Sequence, residues 1–146
     1  MEPGTREKVI SVMGQAGRDD VAAGRAAMLE EFHRACERTP GISMLLLTTA
    51  DGRAIADWST LDADPRRLAA MTNSFLTLGE TVARELGLAC ADYATICTKQ
   101  GNMVLIRLDL GRPMTLAAMG TSDMNLAVLL YGARECATRI RARLTV

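Results

Sequence analysis

The chain has 146 residues with 17 basic and 17 acidic side chains, so its formal net charge at pH 7 is zero. A neutral chain is not a nucleic-acid-binding polycation, and only five aromatic residues are present to stack bases or line a pocket for a flat ligand. The length predicts one domain that buries about two-thirds of its unfolded surface without help from a disulfide or a metal ion.

The compartment is indicated by what the sequence lacks. There is no basic region followed by an apolar run at the N-terminus, and no apolar run approaches the roughly 20 residues that cross a bilayer. We therefore expect a cytoplasmic protein with no integral membrane association. Cys36, Cys90, Cys97 and Cys136 form no CxxC pair, which favours small buried side chains over metal binding or redox chemistry.

The N-terminal part predicts an arm followed by a helix. Residues 1–18 mix glycine, proline and charge, which is typical of a mobile arm, and residues 19–146 form the predicted domain. Asp19 or Asp20 caps a helix that ends at about Arg38, before Pro40-Gly41. Its expected inward residues are Ala22, Leu29, Phe32 and Cys36.

The hydrophobic period changes at Ile42. The continuous apolar run ISMLLLT predicts a strand covered on both faces, so helices must lie on both sides of the sheet. The turn at Asp51-Gly52 then predicts a hairpin whose second strand, residues 53–58, lies at an edge. Three further strands, separated by short turns, are expected at residues 93–99, 103–109 and 114–119.

The last helix is expected to be capped by Ser122 or Asp123 and to run for about twenty residues. Its predicted inward face consists of Leu126, Leu129, Leu130, Ala133, Ala137, Ile140 and Leu144. Arginines near its end complement the helix dipole, with a basic membrane- or RNA-binding patch as the alternative interpretation. The order α-β-β-α-β-β-β-α predicts an α+β fold with a single five-stranded antiparallel sheet and helices on both faces.

The middle helix, residues 65–86, has an unusually wide apolar sector. Asp62 or Asp64 precedes Pro65 as its cap, and Gly87 ends it. The stripe expected to face the sheet is Leu68, Met71, Phe75, Leu78, Val82 and Leu86. A neighbouring row widens the weakly polar sector to about 180°, against about 100° for a helix with one buried face: Ala69, Thr72, Leu76, Gly79 and Ala83. We expect that row to meet a second surface, the alternative being an ordinary core helix with small residues facing water.

Catalytic motifs are absent from the sequence, including GxxxxGK[ST], GxGxxG, GxSxG and HExxH. His33, the one histidine, has no Ser or Cys placed by sequence as its partner and is expected to be a partly buried structural residue. The aspartates between Asp51 and Asp64 do not have the spacing of a calcium loop. We therefore expect no cofactor, no metal and no enzymatic activity.

Three strings in this order resemble parts of roadblock domains, the relatives of dynein light chains. GISMLLLTTADGRAIA resembles their opening hairpin, and LAAMTNSFLTLGETVARELGL resembles their middle helix. GNMVLIRLDLGRPMTLAAMGTSDMNLAVLLYGARE resembles their closing meander and helix. The resemblance, which covers residues 41 to about 143, implies a fold related to longin and profilin-like domains.

The resemblance implies a homodimer in which the third strands pair across a two-fold axis and the middle helices lie side by side. That strand, YATICTK, carries one lysine at its end, so little protects its edge from pairing with another strand. The expected dimer contacts are Ala69, Thr72, Leu76, Gly79 and Ala83 on the helix, and Tyr93, Thr95 and Cys97 on the strand.

The resemblance to bacterial roadblock proteins also implies a small Ras-like GTPase as partner, bound on the paired-helix side, whose nucleotide turnover or localisation the dimer tunes. The expected partner-binding residues lie on the open polar face of the middle helix: Arg66, Asn73, Thr77, Glu80 and Arg84. Two other classes stay open. One is a purely structural scaffold subunit, and the other is a PAS- or GAF-like ligand sensor, which requires a cavity of roughly 300 Å³ or more.

Overall fold

The computed structural model describes residues 23–144 and contains the predicted order of elements. Residues 23–38 are helical and are called α1. The elements that follow are β1 (Ile42–Thr49), β2 (Ala54–Ser59), α2 (Pro65–Glu85), β3 (Tyr93–Thr98), β4 (Gly101–Asp109), β5 (Pro113–Thr121) and α3 (Leu126–Leu144). The predicted arm, the caps at Asp19 and Asp20, and Ala22 lie outside the described residues.

All five strands form one antiparallel sheet in the order β2-β1-β5-β4-β3. The β1–β2 hairpin and the β3–β4–β5 meander join where β1 pairs with β5, for example at Leu46 and Ala117. β1 is buried from Ile42 to Thr48, as its continuous apolar run predicts, whereas β2 and β3 are the edges. The predicted α+β class, with one five-stranded antiparallel sheet and helices on both faces, is confirmed.

Short turns with local hydrogen bonds make the sheet's hairpins. In the β1–β2 turn, Gly52 has φ of 81° and donates its N–H to the Thr49 carbonyl at 3.0 Å. In the β4–β5 turn, Gly111 has φ of 85° and donates its N–H to the Asp109 carboxylate at 3.2 Å. Both glycines occupy the left-handed region, which side chains with a Cβ rarely adopt.

The larger core lies between the sheet and the helix pair α1 and α3. Its bulkiest fully buried side chains are Met28 and Phe32 of α1, Leu45 and Leu47 of β1, Leu108 of β4, Leu116 of β5, and Leu129 and Ile140 of α3. α3 comes very close to the end of α1 at Gly132, where an added Cβ would lie 2.5 Å from the Thr39 hydroxyl oxygen. Only glycine fits there without displacing Thr39.

The predicted inward face of α1 was partly wrong. Leu29 is 37% exposed and Cys36 is only partly buried, while Met28, Phe32 and Ala35 point into the core. The helix is rotated so that Glu31, which is 1% exposed, also faces inward toward α3. Periodicity alone did not find this face because it treats a buried glutamate as a solvent-facing residue.

α3 begins later than predicted. The helix starts at Leu126, and its cap is Asn125 rather than Ser122 or Asp123, because the Asn125 side chain accepts the Ala127 N–H at 2.8 Å. Leu126 and Leu130 are half-buried and Leu144 is exposed, whereas the other predicted inward residues are buried. None of the helices within residues 23–144 has the length and apolar character needed to cross a membrane.

An ion-pair cluster joins α1 to α3. The buried Glu31 carboxylate accepts hydrogen bonds from Arg34 and from Arg143, each at 3.3 Å. The Arg143 guanidinium also donates to Glu30 at 2.7 Å, and this bond lowers the pKa of Glu30. Because Glu31 is removed from water, its charge requires these arginines.

The four cysteines have different environments. Burial raises the pKa of the Cys136 thiol to about 12 and raises that of the partly buried Cys36 thiol. Cys90 and Cys97 are exposed, so the prediction that small buried side chains account for the cysteines was wrong for these two.

We predict that Arg143→Gln destabilises the fold more than Arg38→Gln, which removes only a 3.9 Å ion pair to Glu135 at the surface. An exposed pair of that kind contributes about 0–1 kcal/mol, whereas loss of Arg143 leaves buried Glu31 with one fewer cation. Urea denaturation of each variant measures its free energy of unfolding. Equal effects would contradict a special role for the cluster.

The destabilisation caused by Arg143→Gln should depend on pH. The pKa of Glu30 is lowered in the folded protein, so its contribution to stability is fully present above its ordinary pKa of 4.5 and is lost as the pH falls through the lower folded value. The stability difference between the parent protein and Arg143→Gln should therefore shrink in acid. Urea titrations at several pH values test this, and a difference that grew in acid would contradict it.

Thiol alkylation at pH 8 should separate the cysteines into three groups. Cys90 and Cys97 are expected to react fastest, Cys36 more slowly, and Cys136 only when the protein unfolds, since reactivity requires an accessible thiolate. Mass spectrometry of peptides sampled over time measures the order. Rapid labelling of Cys136 in the folded protein would contradict the packing of α3.

Candidate partner-binding face formed by helix α2 and strand β3

Helix α2 has well-defined ends. The Asp64 carboxylate caps its start by accepting the Arg66 N–H at 3.0 Å, and Pro65 occupies the first helical position. At the other end, Gly87 has φ of 71°, and its N–H bonds to the Arg84 carbonyl at 3.0 Å while Leu88 bonds to Ala83 at 2.9 Å. This pair of bonds is a Schellman motif, so both predicted boundaries of α2 are confirmed.

The side of α2 that packs on the sheet is the small-residue row. Ala69, Thr72 and Leu76 are buried, and the helix covers a core that includes Met44, Leu46, Leu105 and Ala117 of the sheet. Thr72 satisfies its hydroxyl within the helix by donating to the Ala69 carbonyl at 3.3 Å. The expectation that these three residues contact a second subunit was therefore wrong, because the protomer's own sheet already covers them.

Small side chains allow this face of α2 to approach the sheet closely. A Cβ added to Gly52 would lie 3.2 Å from the Ala70 Cα, so the start of α2 lies directly against the β1–β2 turn. Ala69 permits that approach, whereas larger side chains would hold the helix away from the strands. Gly79 and Ala83 lie at the margin of the row and are partly exposed. In the part of the chain that the structure describes, no group beyond α2 lies within 4 Å of where a Gly79 Cβ would be.

The large apolar side chains of α2 face outward. Apart from Leu68, which is partly buried, the residues expected to face the sheet are exposed, and the prediction that they face inward was wrong. We call the exposed set the α2 stripe: Met71 (58%), Phe75 (41%), Leu78 (64%), Val82 (50%) and Leu86 (69%). Burying one such side chain contributes about 1.5–3 kcal/mol, so a contiguous set of this kind marks an interaction surface.

Strand β3 provides an open edge beside α2. It pairs only with β4, so one of its two sides has no strand partner within the described chain. Ala94 packs in the α2 core, and Ile96 lies on the same face of the sheet, opposite Met103, with 41% of its surface exposed. Ile96 was not among the predicted contacts, although strand alternation places it on the α2 side.

The three β3 residues predicted to contact a second copy lie on the other face of the sheet. Tyr93 and Cys97 are exposed, and Thr95 is partly buried. The Arg134 guanidinium of α3 lies 5.2 Å from the centre of the Tyr93 ring, a cation–π contact that places Tyr93 on the α3 side. Their position on an edge strand is consistent with strand pairing, which uses backbone groups rather than one face of the sheet.

The polar flank of α2 is partly occupied by Arg107 of β4. One guanidinium nitrogen donates to Asn73 at 3.2 Å and to Thr115 at 2.8 Å, and the other forms a short hydrogen-bonded ion pair with Glu80. Thr77 lies 3.5 Å from the same group. The five predicted partner-binding residues thus fall into two sets, since Asn73, Thr77 and Glu80 contact Arg107 whereas Arg66 and Arg84 are exposed.

Arg107 was missed from the sequence, although a signal was available. It is a charged residue within the largely apolar strand GNMVLIRLD, where the guanidinium must find partners on the covered face. We call Arg107, Glu80, Asn73 and Thr115 the clasp. A second link strengthens it, because the Asn73 side-chain amide also donates to the Ala50 carbonyl in the β1–β2 turn.

His33 and Asp51 lie on different elements, the first on α1 and the second in the β1–β2 turn. His33 is exposed on α1, 3.8 Å from Glu37, so the expectation of partial burial was wrong. Within residues 23–144, no three His, Cys, Asp or Glu side chains are arranged to hold a metal ion. Asp51 serves the turn, because Thr49 donates to its carboxylate and lowers its pKa.

Comparisons with known proteins agree with this fold. The sequence matches the Roadblock/LC7 domain family over residues 28–114, more than half of the chain. A search of curated protein sequences found no significant match.

Three solved structures show the same fold at low sequence identity. A structure of MglB with a tetrameric arrangement has a TM-score of 0.71 at 17% identity and covers 84% of this chain and 90% of that chain. The Roadblock/LC7 domain from Streptomyces avermitilis has a TM-score of 0.68 at 16% identity, covering 78% and 94%. Profilin II from Acanthamoeba castellanii has a TM-score of 0.50 at 13% identity, covering 72% and 89%. Given the family match, the chain belongs to the Roadblock/LC7 domain family.

Proposed function

We propose that this protein is a homodimeric, non-enzymatic adaptor that regulates a small Ras-like GTPase in the cytoplasm. The observation that carries the proposal is the exposed α2 stripe beside the open edge of β3 on a roadblock fold. In this proposal residues 19–146 form the binding domain and residues 1–18 form an arm.

A second copy of the chain is the proposed occupant of the open edge. An edge strand presents unpaired backbone donors and acceptors, and β3 has no proline or internal charge that would block pairing. Two-fold pairing of β3 with its copy would satisfy these groups, and two-fold interfaces are the commonest kind. The structure of MglB with a tetrameric arrangement supports self-association for a protein of this fold.

The proposed contact set differs from the one expected from the sequence. On α2 it consists of the α2 stripe with Gly79 and Ala83 at its margin, in place of the buried row. On β3 it keeps Tyr93, Thr95 and Cys97 and adds Ile96, which shares the α2 face. Gly79 still allows close approach, because no group of residues 23–144 outside the helix itself lies within 4 Å of where its Cβ would be.

The GTPase is proposed to bind the polar side of the paired helices. Arg66 and Arg84 are exposed there, and neither forms an ion pair with the residues that the structure describes. Both can therefore gain a carboxylate or phosphate partner without breaking an existing ion pair. Asn73, Thr77 and Glu80 are kept in the proposed surface as residues that shape it while contacting Arg107.

The two rival classes differ from this proposal in testable ways. A PAS- or GAF-like sensor encloses its ligand against the sheet, yet the pocket between β1, β2 and the first turn of α2 has a free volume of about 10 Å³. Larger depressions of about 360–550 Å³ lie on the outer surfaces of α1 and α3, away from the sheet. A structural scaffold would bind a GTPase without changing its nucleotide turnover. Only rate measurements distinguish that scaffold from a regulator.

The dimer is tested by one substitution made at two matched positions. Val82 in the α2 stripe and Val128 on α3 have side chains of equal size that are 50% and 51% exposed. Val82→Glu should raise the dimer dissociation constant at least about tenfold, because it places a charge in an apolar contact. Val128→Glu should leave it unchanged. Analytical ultracentrifugation over a concentration series measures both.

Two outcomes would refute the dimer. One is a parent protein that stays monomeric at high concentration, and the other is an equal effect of the two substitutions. Alkylation gives an independent readout, since Cys97 on β3 should be protected as the protein concentration rises while Cys90 keeps its rate.

The partner is tested with a Ras-like GTPase encoded beside this protein's gene. Arg66→Ala and Arg84→Ala should each weaken binding about three- to tenfold, the effect of losing one charged contact at an interface rim. Arg25→Ala, an exposed arginine on α1 across the sheet, is the control. Isothermal titration calorimetry measures affinity, and single-turnover hydrolysis and nucleotide exchange are followed with and without the protein.

The rates decide between the proposed classes. If either arginine acts directly on the transferred phosphate, its loss should lower GTP hydrolysis by about 10³–10⁵. Binding with no effect on hydrolysis or exchange would identify a scaffold, and absence of binding would refute the GTPase proposal.

A further inference from the structure

We propose that Arg107 is a positioning residue that fixes the rotation of α2 about its own axis and so keeps the α2 stripe available to a partner. This inference rests on the proposed dimer for its purpose, although the rotation itself can be measured in the monomer. The clasp carries it, because its bonds join one flank of α2 to β4, β5 and the β1–β2 turn.

A rotational choice exists because α2 has two apolar faces of different size. The buried row contains Ala69, Thr72 and Leu76, whereas the α2 stripe contains larger side chains that are each at least 41% exposed. In a lone protomer, burial of the larger side chains would remove more apolar surface from water. Hydrophobic burial alone therefore favours turning the stripe toward the sheet, which is the opposite of the observed setting.

The clasp opposes that rotation. At about 100° per residue, Asn73 and Glu80 lie two helical turns apart on the same flank of α2. The α2 stripe lies on the opposite flank, across the buried row. Turning the helix by roughly a third of a revolution, enough to bury the stripe, would carry both polar side chains away from Arg107.

Arg107 is suited to this role because its guanidinium is anchored to the sheet. Its guanidinium bonds to the hydroxyl of Thr115, a fully buried residue of β5, so the group is fixed to the sheet before it reaches α2. The side chains of Arg107 and Glu80 are 19% and 28% exposed, which limits screening of their ion pair by water. The planar guanidinium also bonds to two helix side chains at once, which a lysine ammonium cannot do with the same fixed geometry.

The experiment measures helix rotation through two reporter thiols. Val82→Cys reports on the α2 stripe and Thr72→Cys on the buried row, each made alone in a background with Cys90→Ser and Cys97→Ser. Alkylation rates are measured at a concentration where the protein is monomeric. The slow thiols Cys36 and Cys136 serve as internal references for global unfolding.

Arg107→Met should reverse the accessibility of the two reporters. We expect the Val82→Cys thiol to react roughly tenfold more slowly, and the Thr72→Cys thiol roughly tenfold faster, than the same thiols do when Arg107 is present. Without the reporters, Arg107→Met should weaken self-association at least tenfold. Arg53→Met, which removes an exposed arginine paired with Asp51 in the β1–β2 turn, should change neither measurement.

The outcomes separate this proposal from a general effect on stability. A lower melting temperature with both reporter rates unchanged would overturn it, because the clasp would then add stability without setting rotation. If Arg107→Met unfolds and exposes Cys136, the milder Glu80→Gln variant is judged by the same reporter criteria. If the two reporter rates reverse in a protein that never dimerises, the role of Arg107 in setting helix rotation is supported and the proposed dimer is refuted.

Discussion

The close packing of the small-residue row of α2 on the sheet is the constraint on which the rest of this structure depends. Ala69, Thr72 and Leu76 bring the helix down onto the strands, and Gly52 lets the β1–β2 turn meet its first turns. Once the small face is buried, the helical period leaves the large apolar residues on a flank. The α2 stripe is thus a geometric consequence of how the helix meets its own sheet, and the energy that it could gain from burial remains available for binding.

The two faces of the sheet differ because they are covered to different extents. On one face, α1 and α3 pack side by side over a large core and are joined by the Glu31 and Arg143 cluster. On the other, α2 is the one helix among residues 23–144 that packs on the sheet, and it covers a core of fewer residues. A single helix does not cover a five-stranded sheet, so β3 and its exposed Ile96 lie at the uncovered edge. The unused apolar surface is therefore concentrated where the strand edge is also open.

Much of the fold could be predicted because its signals are local. Pro65 and Gly87 mark the ends of α2, and Asp51-Gly52 marks the first hairpin, since capping and turn conformations depend on neighbouring residues. Which side of α2 packs on the sheet could not be predicted in the same way. Periodicity identifies the apolar side of a helix, but it does not tell whether that side meets its own sheet or another molecule. The clasp was missed for a related reason, because Arg107 is 27 residues from Glu80 in sequence.

The clasp also limits what the polar flank of α2 can contribute to a partner. Glu80 and Asn73 already make hydrogen bonds, so a partner that engaged them would exchange existing bonds for new ones with little net gain. It would also loosen the tie that sets the rotation of the helix. Arg66 and Arg84 are not used in this way and can form new charged contacts without disturbing α2. In the proposed dimer, a partner that binds through these arginines would leave the α2 stripe in place for the second copy, whereas a partner that competes for Glu80 would weaken the dimer. The proposed dimer and the proposed partner binding would thus be linked through one side chain, Arg107, which bonds to Asn73 and Glu80 on the polar flank of α2.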